Sequence, residues 1–311
     1  MSYNGIVKKS FLKRLKHDLI KNRAAYLLAL PIILYYILFC YKPMYGILIA
    51  FKDYSPGAGI LGSKWVGFQH FFNFFDSYYF GTLLKNTLII SISSIIFGFP
   101  VPIIFALLLN ELRSTKFKRV AQTISYMPHF ISMVVVCSLI HFFVADKGPI
   151  VAFLSLFGME KISLLSVKEL FVPIYVISSI WQGMGWDAII YLAALSGVNE
   201  ELYDAAKIDG ANRWKQTLHV TIPGISGTII IMLLMSLGSI MSVGYEKIIL
   251  LYNEGIYDTA DVISTFVYRK GLLNMEWSYS TAVGFFNSVV NFVLIIIFNK
   301  ISRKVSEVSL W

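Results

Sequence analysis

The chain has 311 residues, 57% of them hydrophobic and only 14% charged, with a formal net charge of +9. A soluble domain carries roughly a quarter charged residues, so this composition excludes an ordinary water-soluble fold and points to the bilayer. The apolar runs are unbroken and lack period-two alternation, which selects helices over a closed barrel.

A continuous span needs about 20 apolar residues. Six stretches qualify, near residues 24–41, 86–110, 120–145, 170–199, 220–245 and 277–299. Five lack Asp, Glu, Lys and Arg, and the fourth contains only Asp187. The expected fold class is therefore an all-α membrane protein of six transmembrane helices. A basic segment at 1–23 precedes this domain at 24–299, and a short tail at 300–311 follows it.

The amino-terminal segment carries Lys8, Lys9, Lys13, Arg14, Lys16, Lys21 and Arg23. With no small-residue cleavage site after the first apolar run, that run reads as a retained span. Basic residues recur at Arg113, Lys116, Lys118 and Arg119, at Lys207, Arg213 and Lys215, and at Lys300, Arg303 and Lys304. Seventeen of the 27 Lys and Arg thus lie on one side of a six-span topology, which places both termini in the cytoplasm. Topology and anionic headgroups account for the net charge without nucleic acid.

Cys40 and Cys137 fall in apolar spans and read as buried small side chains, neither disulfide nor metal pair. After the first span comes a long aromatic outer loop, in which residues 65–75 suit an amphipathic helix at headgroup level. Interfacial anchoring and a contact surface for an external partner both account for it. Pro100 and Pro102 lie inside the second span and Pro128 near the start of the third, each favouring a kink. Such bends suit gating and static bundles alike.

Asp187, near the middle of the fourth span, is the most costly residue in the membrane unless it faces water, pairs or is protonated. Trp181, Gln182, Gly183, Trp186 and Tyr191 surround it in sequence. One reading is a polar, aromatic-lined cavity, with tryptophan faces for sugar rings and Gln and Asp for hydroxyls. The other is a structural hydrogen bond to a neighbouring helix. On the fifth span Ser236, Ser239 and Ser242 recur every three residues and are expected on one helical face, for close packing or for cargo. Residues 247–252 in the second long outer segment are apolar apart from Lys247 and suit partial re-entry into the membrane.

Between the fourth and fifth spans lies a polar loop at about 200–222, with Asp204-Ala205-Ala206, three residues, Gly210, nine residues, then Val220-Thr221-Ile222-Pro223. The pattern predicts a short helix, a glycine turn, a second short helix, and a proline opening the next span. Asp204, Lys207, Asp209, Arg213 and Lys215 keep the loop in water, while Ala205 and Ala206 leave a smooth face for another protein. No phosphate-binding Gly-x-x-x-x-Gly-Lys-Ser/Thr loop, metal motif or paired carboxylates accompany it, so the chain is not expected to be an enzyme.

This loop resembles the segment of ATP-binding-cassette importer permeases that docks onto the ATPase, where the pattern is Glu-Ala-Ala, three residues, Gly, nine residues, Ile-x-Leu-Pro. Ala205, Ala206, Gly210 and Pro223 match; Asp204, Val220 and Ile222 depart conservatively. Residues 191–195, 201–203 and 208–211 resemble the carbohydrate-uptake branch of these permeases. Residues 45–54, 128–132, 261–265 and the terminal Leu310-Trp311 resemble a subgroup handling oligosaccharides and polysaccharide fragments.

The resemblance implies a permease subunit importing an oligosaccharide by alternating access. Its partners would be a second, related permease, two ATPase subunits holding ATP and Mg, and an extracellular sugar-binding lipoprotein. The chain itself would bind no cofactor. Sugar contacts would come from Gln182, Gly183 and Trp186, beside Asp187, and from Ser236 and Ser239. Ile240 and Val243 stand where relatives place amides, which moves part of the binding to the partner permease. The alternatives are a permease for a non-sugar solute and an ion-coupled secondary transporter. The latter should show internal symmetry and ionisable relays; this sequence has no clear repeat and few charges within its spans.

Overall fold

A computed structural model describes Asp18, residues 20–306 and residues 308–311. The basic residues Lys8 to Lys16 lie outside the described part. Among the described residues, five helices are long and apolar enough to cross a membrane: α1 (Arg23–Phe51), Tyr79–Glu111, Met133–Ser155, Arg213–Gly238 and Trp277–Val305.

After α1 the chain makes a small antiparallel hairpin, β1 (Lys52–Asp53) with β2 (Lys64–Trp65), pairing Lys52 with Trp65 and Asp53 with Lys64. The aromatic loop then forms a helix, α2 (Gln69–Phe75), shorter than its sequence suggests. Phe71 and Phe74 turn inward and their rings meet Phe285 and Phe286, so half of this aromatic face is core.

The second span is α3 (Tyr79–Glu111). It carries a π-helical turn at Ser94–Gly98 just before Pro100 and Pro102, where the prolines remove backbone donors.

The third span starts later than the apolar run suggests. Residues Thr115–Tyr126 form a separate amphipathic helix, α4, which carries Lys116, Lys118 and Arg119. A 3₁₀ turn at Met127–Phe130 containing Pro128 ends it. Ser132 then caps α5 (Met133–Val144) by accepting the amide hydrogen of Val135, and the chain bends at 145–148 before α6 (Pro149–Ser155).

The fourth predicted span is α7 (Phe171–Leu195), 25 residues and so about 37 Å long. It is not among the five membrane-grade helices, because Ser178, Ser179, Gln182 and Asp187 dilute its apolar character. After the polar loop comes α9 (Arg213–Gly238), with α8 (Glu200–Ile208) before it. The fifth span ends at Gly238, earlier than expected, and a nonhelical stretch leads into α10 (Tyr245–Leu251). The sequence-based expectation of three serines on one helical face therefore fails, since Ser239 and Ser242 lie past the helix end. The break has a local cause: Asn291 accepts the Met241 amide at 3.0 Å and donates to Ser242 Oγ at 2.8 Å, holding the unwound backbone. Next come α11 (Ile263–Tyr268) and α12 (Trp277–Val305).

One apolar cluster joins α3, α5, α7 and α10 through Ile90, Cys137, Phe171, Tyr175, Ile248 and Leu251. A second joins α2, α3, α11 and α12 through Phe74, Leu83, Phe266 and Val283. A third joins α3, α7 and α9 through Ala106, Ala188, Tyr191 and Ile225. Polar ties reinforce the packing. Asn86 donates to the carbonyls of Asp258 and Asp261, and buried Asp261 pairs with Arg269 while accepting from Thr265. Both cysteines are free thiols. Cys137 is buried as expected, but Cys40 is exposed on α1, whose most apolar window contains no buried residue.

Candidate translocation cavity and docking loop

The polar loop is built by local hydrogen bonds. Asn199 caps α8 by accepting the Glu201 amide at 3.0 Å, and Glu200 and Glu201 occupy the positive end of the helix. At the other end Ala211 N–H donates to Ala206 O at 2.9 Å, and Gly210 N–H to Lys207 O at 3.0 Å. This paired closure needs a left-handed residue, and Gly210 supplies it at φ +72°. Asn212 caps the next turn by accepting from Lys215, and Gln216 donates back to Ala211 O at 2.8 Å.

The turn between α8 and α9 is thus closed by local bonds, and Arg213 meets Glu111 at the end of α3 at 2.6 Å in a solvent-exposed pair. Pro223 follows a π-helical turn at Thr217–Thr221, which absorbs its missing donor. Asp204, Ala205 and Asp209 are exposed, Ala206 is half-buried, and Lys207 pairs with Asp204. Of the large apolar side chains that face outward here, the most exposed are Ile208 at 87% and Trp214 at 70%. The sequence reading did not single these out; their signal was apolar bulk inside a charged loop.

The second feature is a cavity of about 330 Å³ between α3, α7 and α9. It opens where the π-helical turn and prolines disturb α3. Ser94, Gly98 and Pro102 line one wall, Ser179, Met184, Asp187 and Tyr191 another, and Met232 and Ser236 the third. Asp187 and Ser236 were candidates from sequence. The carboxylate of Asp187 has no hydrogen-bond partner among the described residues, so the structural bond that would have made it a packing residue is not formed.

The other candidates lie elsewhere. Trp186 is off the cavity, its ring stacked on His129 with centroids 4.4 Å apart and planes 1° from parallel, and edge-on to Phe130. Gln182 does not line the cavity either. Gly183 sits beside Asp187, where an added Cβ would lie 3.2 Å from Oδ2. Ser239 hydrogen-bonds back to the carbonyls of Met235 and Ser236 at the end of α9. Ser94 and Ser179 were missed; each is a serine in an apolar run, a weak signal without the third dimension.

The family described as "Binding-protein-dependent transport system inner membrane component" matches residues 98–307. The chain is 44% identical over 303 residues to the polygalacturonan/rhamnogalacturonan transport system permease protein YteP of Bacillus subtilis (strain 168), covering 97% of this chain and 94% of that one. It is 43% identical to protein LplB of the same organism with the same coverage. Among solved structures it is similar to a chain of a bacterial ABC transporter involved in the import of the acidic polysaccharide alginate. That chain has a TM-score of 0.87 and 42% identity, with 94% of this chain and 99% of that one covered. It is also similar, at a TM-score of 0.87 and 41% identity with 96% of this chain and 100% of that one covered, to a chain of a bacterial alginate ABC transporter in complex with an alginate pentasaccharide-bound periplasmic protein. These relatives favour the importer permease over an ion-coupled transporter.

Proposed function

The chain belongs to the binding-protein-dependent transport system inner membrane components, and from that premise we propose that it imports an oligosaccharide cut from an acidic polysaccharide. It is a permease subunit of an ABC importer, and ATP is hydrolysed on separate subunits. The polymers named for its relatives contain sugar acids, which supports a uronate-containing cargo.

In this reading α7 is the sixth membrane helix, admitted despite its polar residues because Ser179 and Asp187 face the cavity. Both termini and the α8–α9 loop are cytoplasmic. A second permease completes the pathway, two ATPase subunits carry ATP and Mg beneath it, and a sugar-binding lipoprotein delivers cargo from outside. ATP binding favours one of two arrangements of the spans, and only that differential affinity can shift them.

The observation that carries the reading is the loop. A turn closed by backbone hydrogen bonds and bridged to α3 by Arg213 displays Ile208 and Trp214 as apolar anchors amid charge. Such anchors suit a protein interface, and an arm bridged to α3 transmits motion to the spans. The test is reconstitution of the chain with its companion permease, ATPases and receptor. Uptake of labelled trigalacturonate should require all components and ATP. Uptake by this chain alone would refute the reading.

A further inference from the structure

Lys247 is 3% exposed, and among the described residues no carboxylate pairs with it. Its Nζ donates to Ser179 Oγ at 2.7 Å and to Tyr175 O at 3.3 Å, and stands 5.0 Å from the centroid of the Tyr175 ring. A carbonyl, a hydroxyl and an aromatic face are all electron-rich and favour the ammonium, while burial works against it and lowers the pKa to about 8. A buried charge without a counter-charge is costly, and burial strengthens its field on whatever lies near. What lies near is the cavity, because Ser179 lines its wall.

We propose that Ser179 and Lys247 form an anion subsite in the cavity wall that holds a carboxylate of the passing sugar. This rests on the oligosaccharide reading above and adds the group that would recognise a uronate. At rest the Ser179 hydroxyl donates to Tyr175 O at 2.7 Å and accepts from Lys247. A hydroxyl proton rotates freely about its C–O bond. Turned into the cavity, it donates to a sugar carboxylate while Oγ still accepts from Lys247. Tyr175 O is not stranded, since Lys247 Nζ continues to donate to it. The ammonium polarises the hydroxyl, so the contact is charge-assisted without the lysine leaving its pocket.

Asp187 lines the same cavity eight residues further along α7, about 12 Å away. The cavity therefore has a hydroxyl backed by an amine at one end and a carboxyl group at the other. A uronate would be oriented with its carboxylate at Ser179 and its hydroxyls toward Asp187.

The experiment uses the complete reconstituted complex and labelled trigalacturonate. Lys247→Met keeps the bulk and removes the charge. It should lower uptake at least tenfold per assembled complex, with basal ATPase activity within twofold of wild type and no fall in melting temperature. Lys247→Arg should recover most of the uptake, which a packing role would not predict. If Lys247→Met fails to assemble, Ser179→Ala carries the test. It leaves Lys247 on Tyr175 and should also lower uptake at least tenfold. Unchanged uptake in Ser179→Ala, or equal loss in the Met and Arg variants, would overturn the subsite alone. A wild-type complex that takes up no trigalacturonate would instead refute the oligosaccharide reading beneath it.

Discussion

Gly185 on α7 is where the packing of α4 can be tested most sharply. A Cβ at this position would lie 2.2 Å from Ser125 O, 2.4 Å from Ser125 C and 2.9 Å from Ser125 Cβ. Ordinary contact begins near 3.4 Å, so Gly185→Ala must drive α4 outward by about 1 Å, and the opposing atoms are backbone that cannot rotate away. Overpacking costs about 1–3 kcal/mol, and a backbone clash falls at the upper end. Near 3 kcal/mol, the balance between packed and displaced α4 shifts roughly hundredfold. The displacement also pulls on the turn that sets His129 against Trp186.

Gly227 and Gly224 on α9 are the controls. An added Cβ meets nothing at Gly227, so Gly227→Ala should gain about 0.5–1 kcal/mol of helix propensity. At Gly224 the Cβ would meet the Val198 methyls at 3.0 and 3.1 Å, and a side chain can yield. Thermal melting of the purified complex should rank Gly227→Ala highest, Gly224→Ala next and Gly185→Ala lowest by several degrees. A Gly185→Ala complex melting with wild type would refute the close approach of α4 and α7.

Gly210→Asp places a charged side chain at φ +72°, in the turn glycine closes without steric cost; uptake should fall relative to ATP hydrolysis while the receptor's affinity for sugar is unchanged, and normal coupling at normal expression would count against the docking assignment. Ile208→Glu and Trp214→Glu remove the loop's apolar anchors and should cost ATPase co-purification, with the permease pair still intact on size-exclusion chromatography. Asp187→Asn should lower oligosaccharide uptake more than Trp186→Ala does, since Asp187 lines the cavity and Trp186 stacks away from it on His129; the reverse order in reconstituted vesicles would move the pathway to the other face of α7. Asp261→Ala leaves Arg269 without its carboxylate in a half-buried site, a loss of about 3–5 kcal/mol for a fully buried pair and less here; yield of folded chain in detergent should drop, and a normal yield would show the pair to be dispensable.

The features legible in the sequence are those fixed by neighbouring residues. The helix, glycine turn and second helix around Gly210 could be read because the closing bonds run between residues 206 and 211. The apolar runs announced most of the long helices because burial in lipid asks only for local composition. The late start of the third span was less accessible. Residues 120–127 are apolar enough to join it, yet Pro128 and the charges at 116–119 tie them to a separate amphipathic helix. The lost serine face has a similar cause, since α9 ends where Asn291, some fifty residues away, captures the backbone. The sequence brought Trp186 and Asp187 forward together, but adjacent residues on a helix point about 100° apart, and only neighbouring helices decide which of them meets the cavity. The Ser179–Lys247 contact joins residues 68 apart, and no periodicity announces it.

The first helix has a consequence for how this chain can change over time. No residue in the most apolar window of α1 is buried against the rest of the molecule. Substitutions such as Leu28→Val or Ile33→Leu should therefore leave the stability of the isolated chain untouched. Their effect, where they have one, should appear only when lipid or a neighbouring subunit lies against that surface. Selection for folding and selection for companionship thus act on different stretches of the same polypeptide. The arm can drift to fit a new neighbour while the cavity behind it stays as it was.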